Sequence, residues 1–597
     1  MKRILSAKRQ QQAVKVDADA LRLMKERRAC SPRSLLAFSA LSAVSWLRGL
    51  VGKLATNFTI GSRNKPKWIK EQPELCAQEP MKKRTLVSIL TLLICALTSS
   101  AQMIDNTQAP NTAKAGINKS LQDEIGAGRG NLLTPNSSIY IINRDPYRSI
   151  RRGRQLFQRK FTRAQGQGPG EGDGLGDLNT DIAIGAGLSD SCASCHGRPR
   201  GSAGAGGNVA TRPDSRDSPH LFGLGIKEML ADEITSDLRR TRDLAIARAQ
   251  QTKHPVTLKL LSKGIDYGSI TANSDGSLDT SKIAGVDADL RVKPFFAEGS
   301  TISIREFVVG ALHNEMGLEA SSDPDLLAAS AGGRVVTPSG MVLDGSKDKI
   351  SPPPPPDAEN GNEIDPALVD HLEFYLLNYF KPAHAAQTSV TDSGRQIFFK
   401  IGCASCHVAT LTINHDRRVA DVETAYDPLN GVFNSLYSTA TTLYYTVDDG
   451  SGQPPLKLPL GNSFVVKDIF TDFKRHDLGA YFYERNWDGS LQTQFLTRPL
   501  WGVGTTGPYG HDGRSITLDD VILRHGGEAQ AAHDAYVALK PAQASNLLNF
   551  LNSLVLFPPD DTASNLDPAD PTKQNFPQFG HGSIKLSVLF NDPTDLE

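Results

Sequence analysis

The chain has 597 residues, and its 65 Lys and Arg balance 65 Asp and Glu. The balance is uneven: residues 1–84 hold 19 basic against 6 acidic side chains, which leaves 46 against 59 in the rest, a net charge of −13. So acidic a body argues against nucleic-acid binding, which rests on neutralising phosphates, and suits either plain solubility or a basic protein partner.

Residues 1–80 precede a second methionine start. Met81 is followed by Lys82-Lys83-Arg84, an apolar run from Leu86 to Leu97, and Ser99-Ser100-Ala101. A basic segment, a short apolar segment and a small-residue cleavage site make residues 81–101 a secretory signal peptide, with a mature chain from Gln102 and a periplasmic location. Because such a signal works at an N-terminus, we read residues 1–80 as a start-site artefact. The alternative is a true N-terminal extension anchored by Leu35 to Leu47, a run shorter than the about 20 apolar residues of a span. No membrane anchor is expected after cleavage. Of the seven cysteines, Cys30, Cys76 and Cys95 precede residue 101, so the mature chain keeps four.

The 496 residues from Gln102 are enough for two or three domains. Residues 102 to about 140 are polar with little periodicity and read as a lead-in. Gly153-Arg154-Gln155-Leu156-Phe157 opens a helix, and a glycine-rich loop from Gln165 to Gly187 follows. Next comes Cys192-Ala193-Ser194-Cys195-His196. On a helical turn the two sulfurs face one side, where they can form thioethers with the vinyl groups of a porphyrin while the histidine offers an axial imidazole. A redox dithiol or half of a zinc site is the plainer reading. Neither explains why the same five residues return at Cys403-Ala404-Ser405-Cys406-His407. The repetition predicts two covalently bound haem c groups, with His196 and His407 on the irons.

Between the motifs, Ser303-Ile304-Arg305-Glu306 is a capping box. The stripe Ile304, Phe307, Val308, Ala311, Leu312 puts Glu315 next on the same face before Gly317 ends the helix. Burial there would raise the Glu315 pKa and suit it to carry a proton; the plainer reading turns it to solvent in a frayed last turn. Pro352 to Pro356 form an exposed stiff loop. Val369 to Leu377 is an apolar helix stopped by Pro382, and Leu547 to Leu551 is another, stopped by Pro558. Each reads as the closing helix of a cytochrome c domain. The chain then divides near residue 385 into an N-terminal domain, 102–385, and a C-terminal domain, 386–597, with an acidic, Pro-rich tail from Pro558.

Gly394-Arg395-Gln396-Ile397-Phe398 repeats the earlier pentapeptide just before the second motif. Thr517-Leu518-Asp519-Asp520 caps a further helix, whose stripe Leu518, Val521, Ile522 reaches His525. A histidine there needs a partner, either iron or a backbone carbonyl. The mature methionines are Met103, Met229, Met316 and Met341, none of them after the second motif. The second haem therefore takes no methionine from its own domain, and His525 is its candidate sixth ligand.

Further stretches carry a family likeness: Ser218-Pro219-His220-Leu221-Phe222-Gly223-Leu224-Gly225, Gly310 to Gly317, Arg498-Pro499-Leu500-Trp501-Gly502, Thr506 to Arg514, and His525 to Ala529. Over roughly residues 150 to 560 the chain resembles the bacterial dihaem cytochrome c peroxidase and MauG superfamily, closest to its dihaem oxidoreductase (thiol oxidoreductase-like) branch. The resemblance implies an N-terminal haem that meets the oxidant and a C-terminal haem that relays electrons. It makes His525 the distal ligand of the second haem, His511 a histidine behind that ligand, and Trp501 a residue on the route between haems. A turn histidine and a core tryptophan are the plainer readings of the last two. His476-Asp477 resembles another family segment without an assigned role. The family's removable distal histidine and its calcium-binding asparagine fall at Ser215 and Gly223. The first haem is then open and calcium is in doubt, although Thr506 and Pro508 fit the other calcium positions. His220 lies nearby and could close the first iron.

The expected fold is mainly α: two cytochrome c-type domains with long irregular insertions. The expected function is an exported dihaem peroxidase that reduces hydrogen peroxide at the N-terminal haem, with Glu315, Trp501 and His511 as catalytic candidates. A small cytochrome or cupredoxin would donate the electrons. Three alternatives stay open: protein side-chain oxidation as in MauG-like relatives, O2-dependent cleavage of an organic substrate as in the related rubber oxygenases, and electron transfer without catalysis. For the oxygenase, Phe295-Phe296 and Leu312 hint at an apolar pocket.

Overall fold

Two helices can cross most closely where one of them lacks a side chain, and this chain places a glycine at such crossings, twice within its repeated pentapeptide. The computed structural model describes residues 120–168, 189–197, 203, 208–209, 216–356, 362–379, 383–385, 387–426, 436–486 and 489–556, all within one unit, Thr98–Glu597. Residues 1–80, the signal peptide, Ser215 and the tail from Pro558 lie outside the described residues. The α-helices run in the order α1 (Leu121–Ile125), α2 (Ser138–Arg144), α3 (Pro146–Gln158), α4 (Cys192–His196), α5 (Leu224–Thr252), α6 (Ile304–Ala311), α7 (Pro324–Ser330), α8 (Pro366–Asn378), α9 (Ser389–Lys400), α10 (Leu518–Arg524), α11 (Gln530–Val537) and α12 (Pro541–Asn552).

α3 crosses α8, and α9 crosses α12. A Cβ on Gly153 of α3 would run into His371 O and Tyr375 Cβ of α8. A Cβ on Gly394 of α9 would meet Asn546 O and Phe550 Cβ of α12 in the same way. Four residues on from each glycine, Phe157 packs against Tyr375 at 5.9 Å between ring centroids, and Phe398 against Phe550 at 5.7 Å. The repeated pentapeptide is thus a repeated helix crossing. It closes α3 rather than opening a helix, because Pro146, whose missing N–H suits a first turn, already starts the helix seven residues earlier.

Three buried clusters follow from these crossings. The first gathers α2, α3, α6 and α8 around the first motif. The second packs α5 against the hairpin Val256–Ser262 with Ile265–Ala272 and against Thr410–Ile413 with Phe464–Lys467. The third joins α9 and α12 beside the second motif. Helices build the core around both motifs, as a mainly α chain requires. The insertions are irregular only in part: residues 280–303 and 345–356 carry neither helix nor named strand, whereas others form antiparallel pairs, including Ala420–Tyr426 with Leu436–Thr442 and Tyr444–Val447 with Leu456–Pro459. A last antiparallel pair joins Ala383–His384 to Leu554–Val555.

The lead-in is shorter than its polar composition suggests, since α2 buries Tyr140, Ile141, Ile142 and Arg144. Its polarity is internal. Arg144 donates to Leu132 O at 3.0 Å and to Asp449 at 2.6 Å, and Arg152 donates to Glu124 O at 3.0 Å. On α6, Arg305 is fully buried between Asp323 at 2.7 Å, Asp370 at 2.9 Å and Glu373 at 2.7 Å. A buried guanidinium needs such partners, because removing an unpaired charge from water costs several kcal/mol.

Candidate functional site

The first Cys-x-x-Cys-His is the helical turn α4, capped by the Ser191 hydroxyl, which accepts from Ser194 N–H at 3.2 Å. The turn presents Cys192, Cys195 and His196 to a cavity walled by Phe295, Phe296, Phe307 and Leu312. Both cysteines are free thiols, and burial pushes the Cys192 thiol up to about 12. His196 donates from Nδ1 to Pro219 O at 2.7 Å, which fixes the tautomer and leaves Nε2 as the ring's open lone pair. Burial lowers its pKa to about 4, so that lone pair is not taken by a proton at neutral pH. Two thiols and a neutral imidazole of fixed tautomer on one wall of an apolar cavity form the donor set that a c-type haem uses.

Charged groups from other elements enter the same cavity. Lys227 of α5 lines it, and burial, with Arg498 nearby, lowers its pKa to about 7. Glu315 lines it too. α6 does not fray: the chain continues as one π-helical turn, Leu312–Met316, closed by Gly317 at φ 63°. That turn is held to the motif by Ser189 N–H, which donates to Glu315 O at 3.1 Å. The wider π turn keeps residue 315 at the cavity instead of letting it swing to solvent, and such turns recur at functional sites. His220 also lines the cavity, but its Nε2 donates to Trp501 O at 2.8 Å. Its Nδ1 is buried without a hydrogen-bond partner among the described residues, so His220 stands as a second imidazole with one open nitrogen at the first cavity.

The second motif is a tighter, 3₁₀ turn, Cys403–Ser405, entered through Gly402 at φ 95°. His407 repeats the arrangement of His196, donating from Nδ1 to Phe470 O at 2.9 Å. His525 does so as well, from Nδ1 to Val521 O at 2.6 Å. It does not sit on the helical stripe: α10 ends at Arg524 and His525 is its C-cap, with φ −63° and ψ 121°. Burial lowers the His525 pKa to about 4, and the nearness of His407 adds to the effect. The second centre therefore has two neutral imidazoles near one another, each with Nδ1 occupied and Nε2 open. The first has a cavity lined by His196 and, with Nε2 rather than Nδ1 engaged, by His220.

His511 lies behind the second centre. It stacks on Phe495, with centroids 4.1 Å apart and planes at 15°, and has Glu484 Oε1 at 2.7 Å from Nε2. Phe482 touches both His511 and His525, at 6.0 Å and 5.3 Å between centroids. The Trp501 ring is buried against Gly223, which has φ 72°; a Cβ there would come within 3.1 Å of Trp501 Cε3 and Cη2. Trp501 and His511 do not line the first cavity.

His476 had no role readable from sequence. It is buried, with Nε2 2.9 Å from Asp472 Oδ2 and Nδ1 2.7 Å from Glu528 Oε2. Although burial works against the charge, these carboxylates and Cys406 hold its pKa up at about 11. Glu528 also accepts from Asp477 N–H at 3.0 Å, so the imidazolium ties the helix-following loop of His525 to the strand beside Cys406. A spacing rule cannot find such a residue, because its partners are 4 and 52 positions away. Among the described residues, Cys406, Asp472 and His476 form the cluster dense enough to suggest a cation. With both ring nitrogens on carboxylates it is an ion pair, and it does not involve the suggested calcium positions.

Residues 410–554 match the family model described as "Di-haem oxidoreductase, putative peroxidase". The match makes this segment similar to that family. The matched segment begins just after the second motif and contains His476, Trp501, His511 and His525. No curated protein is matched. Among solved structures, hydrazine synthase of Kuenenia stuttgartiensis, pressurised with xenon, is similar at 13% identity over 82% of this chain and 100% of that one, with a TM-score of 0.22. A MauG-like protein associated with microbial copper homeostasis is similar at 13% identity over 55% of this chain and 88% of that one, with a TM-score of 0.21. No described helix is long and apolar enough to cross a membrane.

Proposed function

We propose that this chain is a di-haem oxidoreductase, an exported peroxidase with two cytochrome c-type halves. Cys192 and Cys195 would hold one haem c and Cys403 and Cys406 the other. The observation that carries the reading is the asymmetry of the two centres. His196 faces an apolar cavity that also receives Glu315 and Lys227, whereas His407 is accompanied by His525. An iron with one axial imidazole can take up a small oxidant, and one with two imidazoles suits electron transfer at lower potential than His/Met ligation gives. The repeated crossing of α3 with α8 and of α9 with α12 supports the division into two like halves.

The haem supplies the redox chemistry, and the protein's own groups supply binding and protons. Reduction of one hydrogen peroxide to two waters takes two electrons and two protons. Glu315 can pass a proton to the departing oxygen, and Lys227, close to half-protonated near pH 7, can restore it. The apolar wall of Phe295, Phe296, Phe307 and Leu312 limits water in the cavity. A basic small cytochrome or cupredoxin would deliver electrons to the acidic body.

The same wall favours one alternative, oxidation of an apolar organic substrate with O2. Ferric optical and electron paramagnetic resonance spectra of the two-haem protein, before and after peroxide, separate these readings. A high-spin signal consumed by peroxide beside a persistent low-spin signal is expected. Glu315→Gln should leave both signals and lower peroxide turnover by on the order of 10²-fold. Two low-spin signals indifferent to peroxide would refute the peroxidase and leave an electron carrier; a stable O2 complex with product from an apolar substrate would establish the oxygenase.

A further inference from the structure

Each motif histidine hands its Nδ1 proton to a carbonyl, and the two carbonyls are not isolated ends. Pro219, which receives His196 at 2.7 Å, is bonded to His220, and His220 Nε2 donates to Trp501 O at 2.8 Å. Trp501 is bonded to Leu500, whose N–H donates to Ile469 O at 3.1 Å. Ile469 is bonded to Phe470, whose carbonyl receives His407 at 2.9 Å. From one motif histidine to the other, the path is covalent except for four hydrogen bonds, all of them short. One link in this path is a side chain outside both motifs: His220.

We propose that His220 is the bridge through which the two centres exchange electrons, by joining the loop that orients His196 to the loop that orients His407. The proposal rests on the dihaem reading given above. With haem held at both motifs, one electron from an external one-electron donor would pass from the group held by His407, which is thereby oxidised, to the group held by His196, which is thereby reduced. No bond breaks and no proton moves, since His220 keeps its Nε2 hydrogen on Trp501 O throughout. Chains of packed and hydrogen-bonded groups can carry coupling between distant sites. The path uses the Trp501 carbonyl and not its indole, which is turned into the apolar cluster with Ile226 and Met229 of α5.

That distinction makes the proposal testable. His220→Phe keeps a ring beside Phe222, now 5.8 Å away between centroids, but donates nothing. His220→Gln restores a donor, and Trp501→Phe removes the indole while keeping the carbonyl. A ruthenium photoreductant injects one electron into the second centre, and absorbance follows its arrival at the first. We expect transfer slower by on the order of tenfold in H220F, restored to within about threefold in H220Q, and unchanged in W501F. Redox titration should give the same two potentials in all four proteins, which a merely structural disturbance would not. Should H220F fail to load both haems, H220L carries the same comparison. Wild-type rates in the donorless variant, or slowing confined to W501F, overturn the bridge. Fewer than two haems on the wild-type chain, measured as pyridine haemochrome, refutes the dihaem reading itself.

Discussion

Gly394→Ala tests whether the repeated helix crossing holds the second half together. The new Cβ would lie 2.6 Å from Asn546 C and 2.8 Å from Phe550 Cβ, and closer still to Asn546 O, where ordinary contact begins at 3.4 Å. Two of these three atoms are backbone, so no rotamer change relieves the overlap. α9 must retreat from α12 by about 1 Å, and a gap of 0.5–1 Å forfeits roughly a quarter to a half of each dispersion contact across it. Overpacking of this kind costs up to about 3 kcal/mol. Alanine's better helix propensity returns about 1 kcal/mol, which leaves a net loss of about 2 kcal/mol. Urea unfolding of the full chain as purified, followed by circular dichroism, gives the measured value. Gly310→Ala is the control: on α6 the nearest atom to its new methyl is Asn314 Nδ2 at 3.9 Å, so stability should hold or rise by up to about 1 kcal/mol. Equal stability of G394A and wild type, or equal harm from both substitutions, would refute the close-crossing argument.

Three further outcomes are expected. His525→Ala should abolish the low-spin bis-histidine signal and leave the spectrum of the first centre untouched; an unchanged low-spin signal would remove His525 from the iron. Arg305→Met should destabilise the fold by roughly 3–5 kcal/mol, because Asp323, Asp370 and Glu373 would remain buried without their cation. A variant as stable as wild type would show those carboxylates to be protonated or hydrated. Lys227 has a folded pKa of about 7, below its unfolded value near 10.4. The unfolded chain therefore binds more protons between those two values, and the penalty for burying Lys227 is full below pH 7 and relieved as pH rises toward 10.4. Lys227→Met should gain stability at pH 6, gain almost none near pH 10, and flatten the slope between; an unaltered slope would contradict the shift.

Some of this was open to a sequence reader. The two Cys-x-x-Cys-His runs and the cap residues Ser303 and Thr517 act within four or five positions; Thr517 forms a full capping box with Asp520, whereas Ser303 accepts from Glu306 N–H without the reciprocal bond. The echoed pentapeptides were visible, but their meaning was not. Gly153 and Gly394 matter because of carbonyls more than 150 residues away, so they read as helix starts when they are crossing points. Hydrophobic periodicity also failed around α2 and α3, where buried arginines satisfied by distant acceptors look like a solvent face. The stripe left Glu315 between the interior and a frayed, solvent-facing turn, and an α stripe carries no sign of the π turn that sets it at the cavity. His525 reached its expected neighbourhood by capping the helix rather than riding it, which Gly526 and Gly527 after it permit.

The short pair of Ala383–His384 with Leu554–Val555 has a topological consequence. It brings residues 383–385 beside residues 553–555, with Ala385 N–H on Ser553 O at 2.8 Å. The stretch between them begins and ends at one seam, yet it is not detachable, because Thr410–Ile413 and Phe464–Lys467 share a buried cluster with α5 and Arg475 reaches back to Asp287.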